Sequence, residues 1–556
     1  MSARKNSMLA FLATTAEGTP CLELRDEHSA EPLAARQLIA EDQLAQTVAQ
    51  VEREYRPRWV IVRASRWIPR LLDAGVRLST AYVLDLAARI LHRSPFASAE
   101  ILDAPADLPR PAAEAHNLQD ALFAEPASTE ETMEYLLQGY RAQRAAMPHD
   151  PLRAERLRIL LNAESTGALI ACEMELAGLP WDERAHRALL RDQLGERVPE
   201  GVRPPRLAAL AEELGRELQS PGLNPDSPQE LLRALHRRGI NVASVRAWEL
   251  ERVGGPMVEK ILHYKKLARL ASAHGDQWLD TWVQNGRFHP HYVLGTVASG
   301  RWAAAGGGAL QLPHSIRSVV RAGAGRVLVV ADGRQLEPRI LAAISHDERL
   351  LAAGEQDDLY QWLIDQRLVP DRQQAKLGML SVIYGGGGGG SGQVLAALRA
   401  GFPKAMAFVD AAAQAGERGE GVHSFLGRGC PPADADWLRA QRGTSDAAGQ
   451  AAADAAARAR GRFTRNFVVQ ATAAEWALAF MGHARHLVHS AGWDQQVRQV
   501  FFVHDEVVFD APQELATQLG QLLRHAAVLA GRSLFGNSSP NFPLSIAAVQ
   551  SYAEAK

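Results

Sequence analysis

The residues 499–510 read QVFFVHDEVVFD, a run of strand-forming residues that carries His504, Asp505 and Glu506 in its middle. Burying a carboxylate costs free energy unless it finds hydrogen bonds or a cation. A second acid, Asp332, ends the apolar run VLVVAD and is followed by a short turn and a helix that starts near Leu336. Two carboxylates brought to one place repel unless a cation joins them. Hard oxygen ligands favour Mg²⁺ or Mn²⁺ over zinc. Two such ions about 3.5–4 Å apart would activate an attacking hydroxyl and stabilise a leaving oxygen in phosphoryl transfer. A third group lies in VPDRQQAKLGMLSVIYG, 369–385, where Arg372, Lys376, Leu380 and Tyr384 fall four apart along one helical stripe. Two cations and an aromatic so placed suit a triphosphate and a base.

Each signal has a plainer meaning when taken alone. A single aspartate between a strand and a helix commonly caps the helix or turns the chain. An Arg/Lys pair usually marks a solvated helical face. For Asp505–Glu506 the plainer meaning is a hairpin turn. It is disfavoured because apolar residues flank both sides and no Gly or Asn marks a turn.

The elements that must position these groups follow from periodicity. The first 150 residues mix strands (SMLAFLAT, PRWVIVRA) with helices (AYVLDLAARILH), an α/β pattern. A loop-like stretch, LDAPADLPRPAAEAH, follows. From about 152 the apolar spacing turns helical and stays so to about 285, with VEKILHYKKLARLASAHG amphipathic and basic on one face. A strand-rich region comes next, then helices from 358 to about 420. Pro370–Asp371 is a good helix start and Gly385 a helix end. The Ala-rich segment SDAAGQAAADAAARARG reads as a surface helix or a connector. A long helix, RNFVVQATAAEWALAFMGHARHLVHS, precedes the strand that carries Asp505.

The totals agree with a large soluble protein. With 556 residues the chain exceeds one core, and 47% hydrophobic with 22% charged residues is an ordinary globular balance. No apolar run is long enough to span a bilayer, so no membrane partner is expected. Three distant cysteines suggest neither a disulfide framework nor a zinc site, which fits a reducing cytoplasm. A net charge of −2 gives no bulk case for nucleic acid but leaves room for a basic cleft. The glycine run 385–390 resembles neither a Walker loop nor a dinucleotide fingerprint.

Five stretches, in order, resemble the family A DNA polymerases of the DNA polymerase I type. HPHYVLGTVASGRWAAAGGGALQLP resembles the segment before the first catalytic motif, T-x-x-x-G-R with a later Gln-x-x-Pro. VVADGRQLEPR is similar to motif A, D-Y-S-Q-I-E-x-R, and RQQAKLGMLSVIYG to motif B. RFTRNFVVQATAAE resembles R-x-x-x-N-x-x-x-Q-G-x-A-A-D, and VHDEV motif C. SPQELLRAL and VEKILHYKKLARL also resemble the family's thumb, so the likeness covers about 152–556. The shortened layout and the phrase AGLPW are similar to small actinobacterial proteins described as bifunctional 3′–5′ exonuclease/DNA polymerases.

The resemblance implies a mixed α/β (α+β) chain, with an RNase H-like, exonuclease-type domain at 1–150. After it would come a right-hand polymerase: helical thumb 151–285, palm 286–350 and 462–556, fingers 351–461. Asp332 and Asp505 would bind two Mg²⁺ ions, or Mn²⁺, with Glu506 beside them. Arg372 and Lys376 would grip the dNTP triphosphate, Lys376 also giving a proton to pyrophosphate. Gln335 and Tyr384 would shape the dNTP pocket, and Glu337 would block a 2′-hydroxyl. Arg301, Arg462, Asn466, Gln470 and His504 would contact primer–template DNA. A cytoplasmic, nucleoid-associated monomer is expected.

The sequence departs from the pattern in places. Leu380 stands where the family has Phe or Tyr, Gly333–Arg334 replaces Tyr-Ser, and QLP lacks an Asn. A proofreading exonuclease needs Asp-x-Glu on its first strand and two later aspartates. MLAFLATTAEG has no such pair, ELRDE spaces its acids wrongly, and Asp85 reads as a structural acid. The expectation is an exonuclease-like domain without nuclease chemistry. The alternatives are a non-catalytic primer–template binding protein, an active nuclease with a decayed polymerase, and a single-subunit RNA polymerase. The joint presence of Asp332, Asp505 and Lys376 speaks against the first, the missing Asp-x-Glu against the second, and Glu337 against the third.

Overall fold

The N-terminal α/β pattern folds as a five-stranded sheet with the order β3-β2-β1-β4-β5. Its strands are β1 (Met8–Thr14), β2 (Pro20–Asp26), β3 (Gln37–Leu38), β4 (Arg58–Ile61) and β5 (Thr80–Val83). β1 pairs antiparallel with β2 and parallel with β4, and β4 pairs parallel with β5. Crossover helices α1 (Leu44–Tyr55) and α2 (Ala64–Asp73) supply the parallel connections, followed by α3 (Leu84–Leu91) and α4 (Met133–Ala145). Leu12, Trp59, Trp67, Ile68 and Leu71 are buried in this layer together with Leu169 and Cys172 of α5 (Pro151–Ala177). Each fully buried side chain of this size is worth about 1.5–3 kcal/mol, so α5 is anchored firmly to the sheet.

The computed structural model describes residues 8–27, 29, 31–98, 131–305, 312–385, 392–443 and 446–555. The loop-like stretch 102–116, the glycines after 385 and Gln311 of QLP lie outside these residues. The chain forms two compact units. One comprises Met1–Ala177, Tyr292–Ala303 and Val329–Ala548, and the other Gly178–His291, Ala304–Leu328 and Val549–Lys556. In the second unit the amphipathic helix Pro256–His274 buries Val258, Ile261, Tyr264, Leu267 and Leu270, the three- and four-residue spacing read from its sequence. The helix Pro228–Arg237 starts with Ser227 accepting from the Glu230 N–H and with Pro228 in its first turn.

A four-stranded sheet with the order β7-β8-β6-β9 lies mostly in the first unit. Its strands are β6 (Arg326–Gly333), β7 (Arg498–Val503), β8 (Glu506–Pro512) and β9 (Leu544–Val549). Around it lie α6 (Leu336–Ser345), α7 (Leu359–Asp365), α8 (Arg372–Tyr384), α9 (Pro403–Glu417), α10 (Ala447–Ser490) and α11 (Ala516–Phe535). The Ala-rich segment is the start of α10, a 44-residue helix capped by Asp446, which accepts from the Gly449 N–H. None of the helices among the described residues is long and apolar enough to cross a membrane. Cys21, Cys172 and Cys430 are buried and free.

One expectation is corrected. The residues 499–510 are not a single strand but a hairpin, with Val503 opposite Glu506 and His504–Asp505 as its two-residue loop. A turn lacking Gly and Asn is disfavoured by pattern, yet His504 itself takes φ 59°. Histidine is among the few non-glycine residues enriched in that region. The hairpin places Asp505 at a tip and leaves Glu506 in the sheet.

Candidate active site

Three local devices bring the chemistry together. The first is the strand end that carries Asp332, tied to the hairpin loop by the Gly333 N–H, which donates to the Asp505 carbonyl at 3.3 Å. A Cβ on Gly333 would lie 3.7 Å from the Trp476 ring and 4.0 Å from the Asp505 Cβ. These are ordinary contact distances, so the strand end and the loop pack side by side. The second device is α8. Asp371 accepts from the Gln374 N–H at its start, and Gly385 ends it at φ 68°, donating to the Ser381 carbonyl. The third is α6, whose first turn carries Glu337.

These elements enclose a cleft of about 610 Å³ lined by Asp332, Asp505, Gln335, Glu337, Arg372 and Lys376, with Arg301, His504 and Leu380 also on its wall. Both aspartates are half-buried, whereas Arg372 and Lys376 are exposed to the cleft. Among the described residues no group of three or more His, Cys, Asp or Glu side chains is gathered as a metal cage. Two carboxylates suit Mg²⁺ nevertheless, because that ion keeps several waters and is commonly held by one or two carboxylates plus substrate phosphates. The donor set therefore fits a hard divalent ion.

Glu337 is held from two sides. Arg301 Nη2 donates to it at 2.7 Å, and the Tyr384 hydroxyl lies 2.8 and 2.7 Å from its two carboxylate oxygens. Burial, then the Glu337 charge, push the Tyr384 hydroxyl above its ordinary pKa, so it stays a donor at neutral pH; Gln470 hydrogen-bonds the same tyrosine. Glu337, Tyr384, Arg301 and Gln470 thus form one connected group.

Arg372 is already engaged. It pairs with Asp358 and lies over the Tyr360 ring at 5.6 Å. Asp358 also accepts from Gln335 Nε2 at 3.2 Å and caps α7 through the Tyr360 and Gln361 N–H groups. Gln335 in turn accepts from Arg339 at 3.1 Å. Arg339 is fully buried and donates also to the carbonyls of Arg334, Gly354, Gln356, Asp357 and Asn541. Burial lowers its pKa to about 10, so it remains cationic.

The other sequence-derived residues fall elsewhere. Glu506 is 2% exposed and opens β8, whose first six residues are all buried, whereas Asp505 lies in the loop before it. Arg462 and Asn466 sit two turns and one turn before Gln470 on α10, and none of the three is in the cleft lining. Asp358, Arg339 and Arg465 are missing from the sequence reading. Arg465 donates to the Val382 carbonyl of α8 at 2.9 and 2.6 Å and pairs with Asp410 of α9. Arg339 had a signal, a charge inside the apolar run LEPRILAAI, and Asp358 had one as a cap before LYQWLI.

The model of DNA polymerase family A matches residues 206–534, more than half of the chain. The chain belongs to DNA polymerase family A. It is 27% identical to the thermostable DNA polymerase I of Thermus aquaticus over 315 residues, which are 52% of this chain and 36% of that protein. It is also 27% identical to DNA polymerase I of Chloroflexus aurantiacus over 397 residues, 64% and 39% of the two chains. This family A chain therefore matches well under half the length of those relatives. In fold it is similar to the POL domain of Pol1 from M. smegmatis, solved with DNA primer-template and dNTP. The TM-score is 0.65 at 19% identity, over 99% of this chain and 96% of that one.

Proposed function

We propose that the chain is a template-directed DNA polymerase that extends a primer 3′ end with dNTPs, and that its N-terminal sheet belongs to an exonuclease-like domain without nuclease chemistry. The observation that carries the reading is the single cleft shared by Asp332, Asp505, Arg372 and Lys376. Asp332 and Asp505 are the residues that would hold Mg²⁺ or Mn²⁺; the bound ions would neutralise phosphate charge and make the primer hydroxyl a better nucleophile.

The chain's own residues do the rest. Arg372 and Lys376 bind the triphosphate. As the primer 3′-oxygen bonds to the α-phosphorus and the bridging oxygen leaves with pyrophosphate, Lys376 gives that oxygen a proton. In-line positioning and fixed charge supply most of the acceleration. Glu337, held by Arg301 and Tyr384, fills the space a 2′-hydroxyl would need. Gln335 shapes the dNTP pocket, and Arg462, Asn466, Gln470 and His504 face the DNA. The segments 151–285, 286–350 with 462–556, and 351–461 serve as thumb, palm and fingers.

The nuclease half of the reading rests on β1, which carries no acid, and on acids already neutralised. Arg25 and Arg36 pair with Glu23, and Arg63 and Arg66 with Glu131. The test is primer extension with one dNTP at a time. Incorporation only opposite the complementary template base, abolished by EDTA, is expected. DNA binding without any incorporation would mean a primer–template binding protein instead.

A further inference from the structure

A second cleft in the first unit, of about 520 Å³, has no part in the proposed polymerase chemistry. That volume is within the range of small-ligand sites. Its wall carries Arg56 at the end of α1, Arg77 before β5, and His483, Arg485, His486 and His489 of α10. The three histidines recur every third residue and so lie along one side of the helix. Arg56, His486 and His489 are exposed. Asn162, Thr80 and Ser533 add neutral polar groups to the wall. Because β1, β4 and β5 run parallel, Thr80 begins its strand at the end of the sheet opposite to Thr14, which bridges to Thr132 beside Glu131. This cleft therefore lies at the end of the sheet opposite to Glu131.

The charge of the cleft depends on its imidazoles. Asp494, on the wall, pairs with Arg77 at 3.1 Å and with His489 Nδ1 at 2.8 Å. Behind the wall Glu173 pairs with Arg77 at 2.6 Å and Arg485 at 2.8 Å. Glu52, also behind it, accepts from Ser79 and from Trp59 at 2.6 Å. Three guanidiniums and three carboxylates thus lie on or behind the wall, and protonated histidines supply any surplus. His483 Nε2 lies 2.9 Å from the Ser533 hydroxyl. Burial first, then His486 and His525, hold His483 below the ordinary histidine range.

We propose that this cleft binds a phosphate-bearing anion of nucleotide size, and that binding takes up protons on its histidines. The anion favours the charged imidazoles, so affinity rises as pH falls. The phosphate can belong to a free nucleotide or pyrophosphate, or to a single DNA strand. The inference does not rest on the polymerase reading.

The test uses the full chain with Arg372→Ala and Lys376→Ala, which removes two of the cations lining the other cleft. Calorimetric titrations with inorganic pyrophosphate and with a four-residue oligothymidylate are run at about pH 6 and about pH 8. Binding at the lower pH, weakened about tenfold or more at the higher pH and equally by Arg56→Ala with His486→Ala, is expected. Heats that change with buffer ionisation enthalpy report the proton uptake. Pyrophosphate binding without oligomer binding identifies a free phosphate ligand, and the reverse a strand. Both altered residues are exposed, and an unchanged circular dichroism spectrum checks their folding. The proposal is overturned if neither probe binds at ~1 mM. It is equally overturned if binding ignores the Arg56/His486 variant or the pH.

Discussion

The two sheets of the first unit treat their acids in opposite ways. At the end of β6 and the tip of the β7–β8 hairpin, Asp332 and Asp505 are half-buried and share a cleft with two exposed cations. In the N-terminal layer, Glu23 of β2 and Glu131, beside the end of β1, are nearly fully buried, each against two arginines of the same fold. An acid satisfied by its own fold holds structure together. An acid left at the rim of a cleft has coordination positions to offer. The difference lies in what surrounds the carboxylate, and not in its place on a strand.

That contrast can be broken from either side. The largest effect is expected at the cleft: Lys376→Ala lowers the single-turnover extension rate by about 10²–10⁴-fold, the span of a general-acid contribution. A rate within threefold of wild type, measured by rapid quench, removes Lys376 from the chemistry. On the structural side, Arg63→Ala with Arg66→Ala leaves Glu131 buried without its partners. A loss of about 3–5 kcal/mol is expected, read from urea unfolding followed by a probe in the N-terminal sheet. No loss would mean that Glu131 is not fixed by these arginines.

Glu173 sharpens the same point through pH. Burial alone would raise its pKa, but Arg485 and Arg77 outweigh that and hold it at about 2. A carboxylate depressed in the folded state contributes stability above its unfolded pKa. For Glu173 that amounts to roughly 3 kcal/mol, fading as pH falls from about 4.5 through about 2. Glu173→Gln flattens the acid limb of the stability curve if this is right, and leaves it unchanged if the pairs are idle. The smallest effect is at Glu337. Its alanine variant raises ribonucleotide incorporation by about tenfold or more, a contact of ~1.4 kcal/mol, and unchanged selectivity counts against the blocking role.

Much of the cleft was legible because the residues sit at element ends with strong local signals. Asp332 closes an apolar strand, and Asp371 and Gly385 bracket α8. The spacing of four then puts Arg372, Lys376 and Leu380 on one wall. The hairpin was not legible, since only the backbone reveals that His504 takes a left-handed conformation. Arg339, Asp358 and Arg465 were missed for a different reason. Their partners are backbone carbonyls and side chains of separate segments, and periodicity carries no information about such contacts. Asp358 holds both Gln335 and Arg372, so two of the residues assigned to the dNTP are tied to a residue that no motif singles out.

The most direct measurement follows one labelled primer–template with Mg²⁺, with and without dNTPs, in wild type, Asp505→Ala and Glu131→Gln. Wild type should extend the primer and never shorten it. Asp505→Ala should bind the DNA and extend nothing, and Glu131→Gln should still extend. Extension by Asp505→Ala, or shortening lost in Glu131→Gln, would reverse the assignment of the two sets of acids.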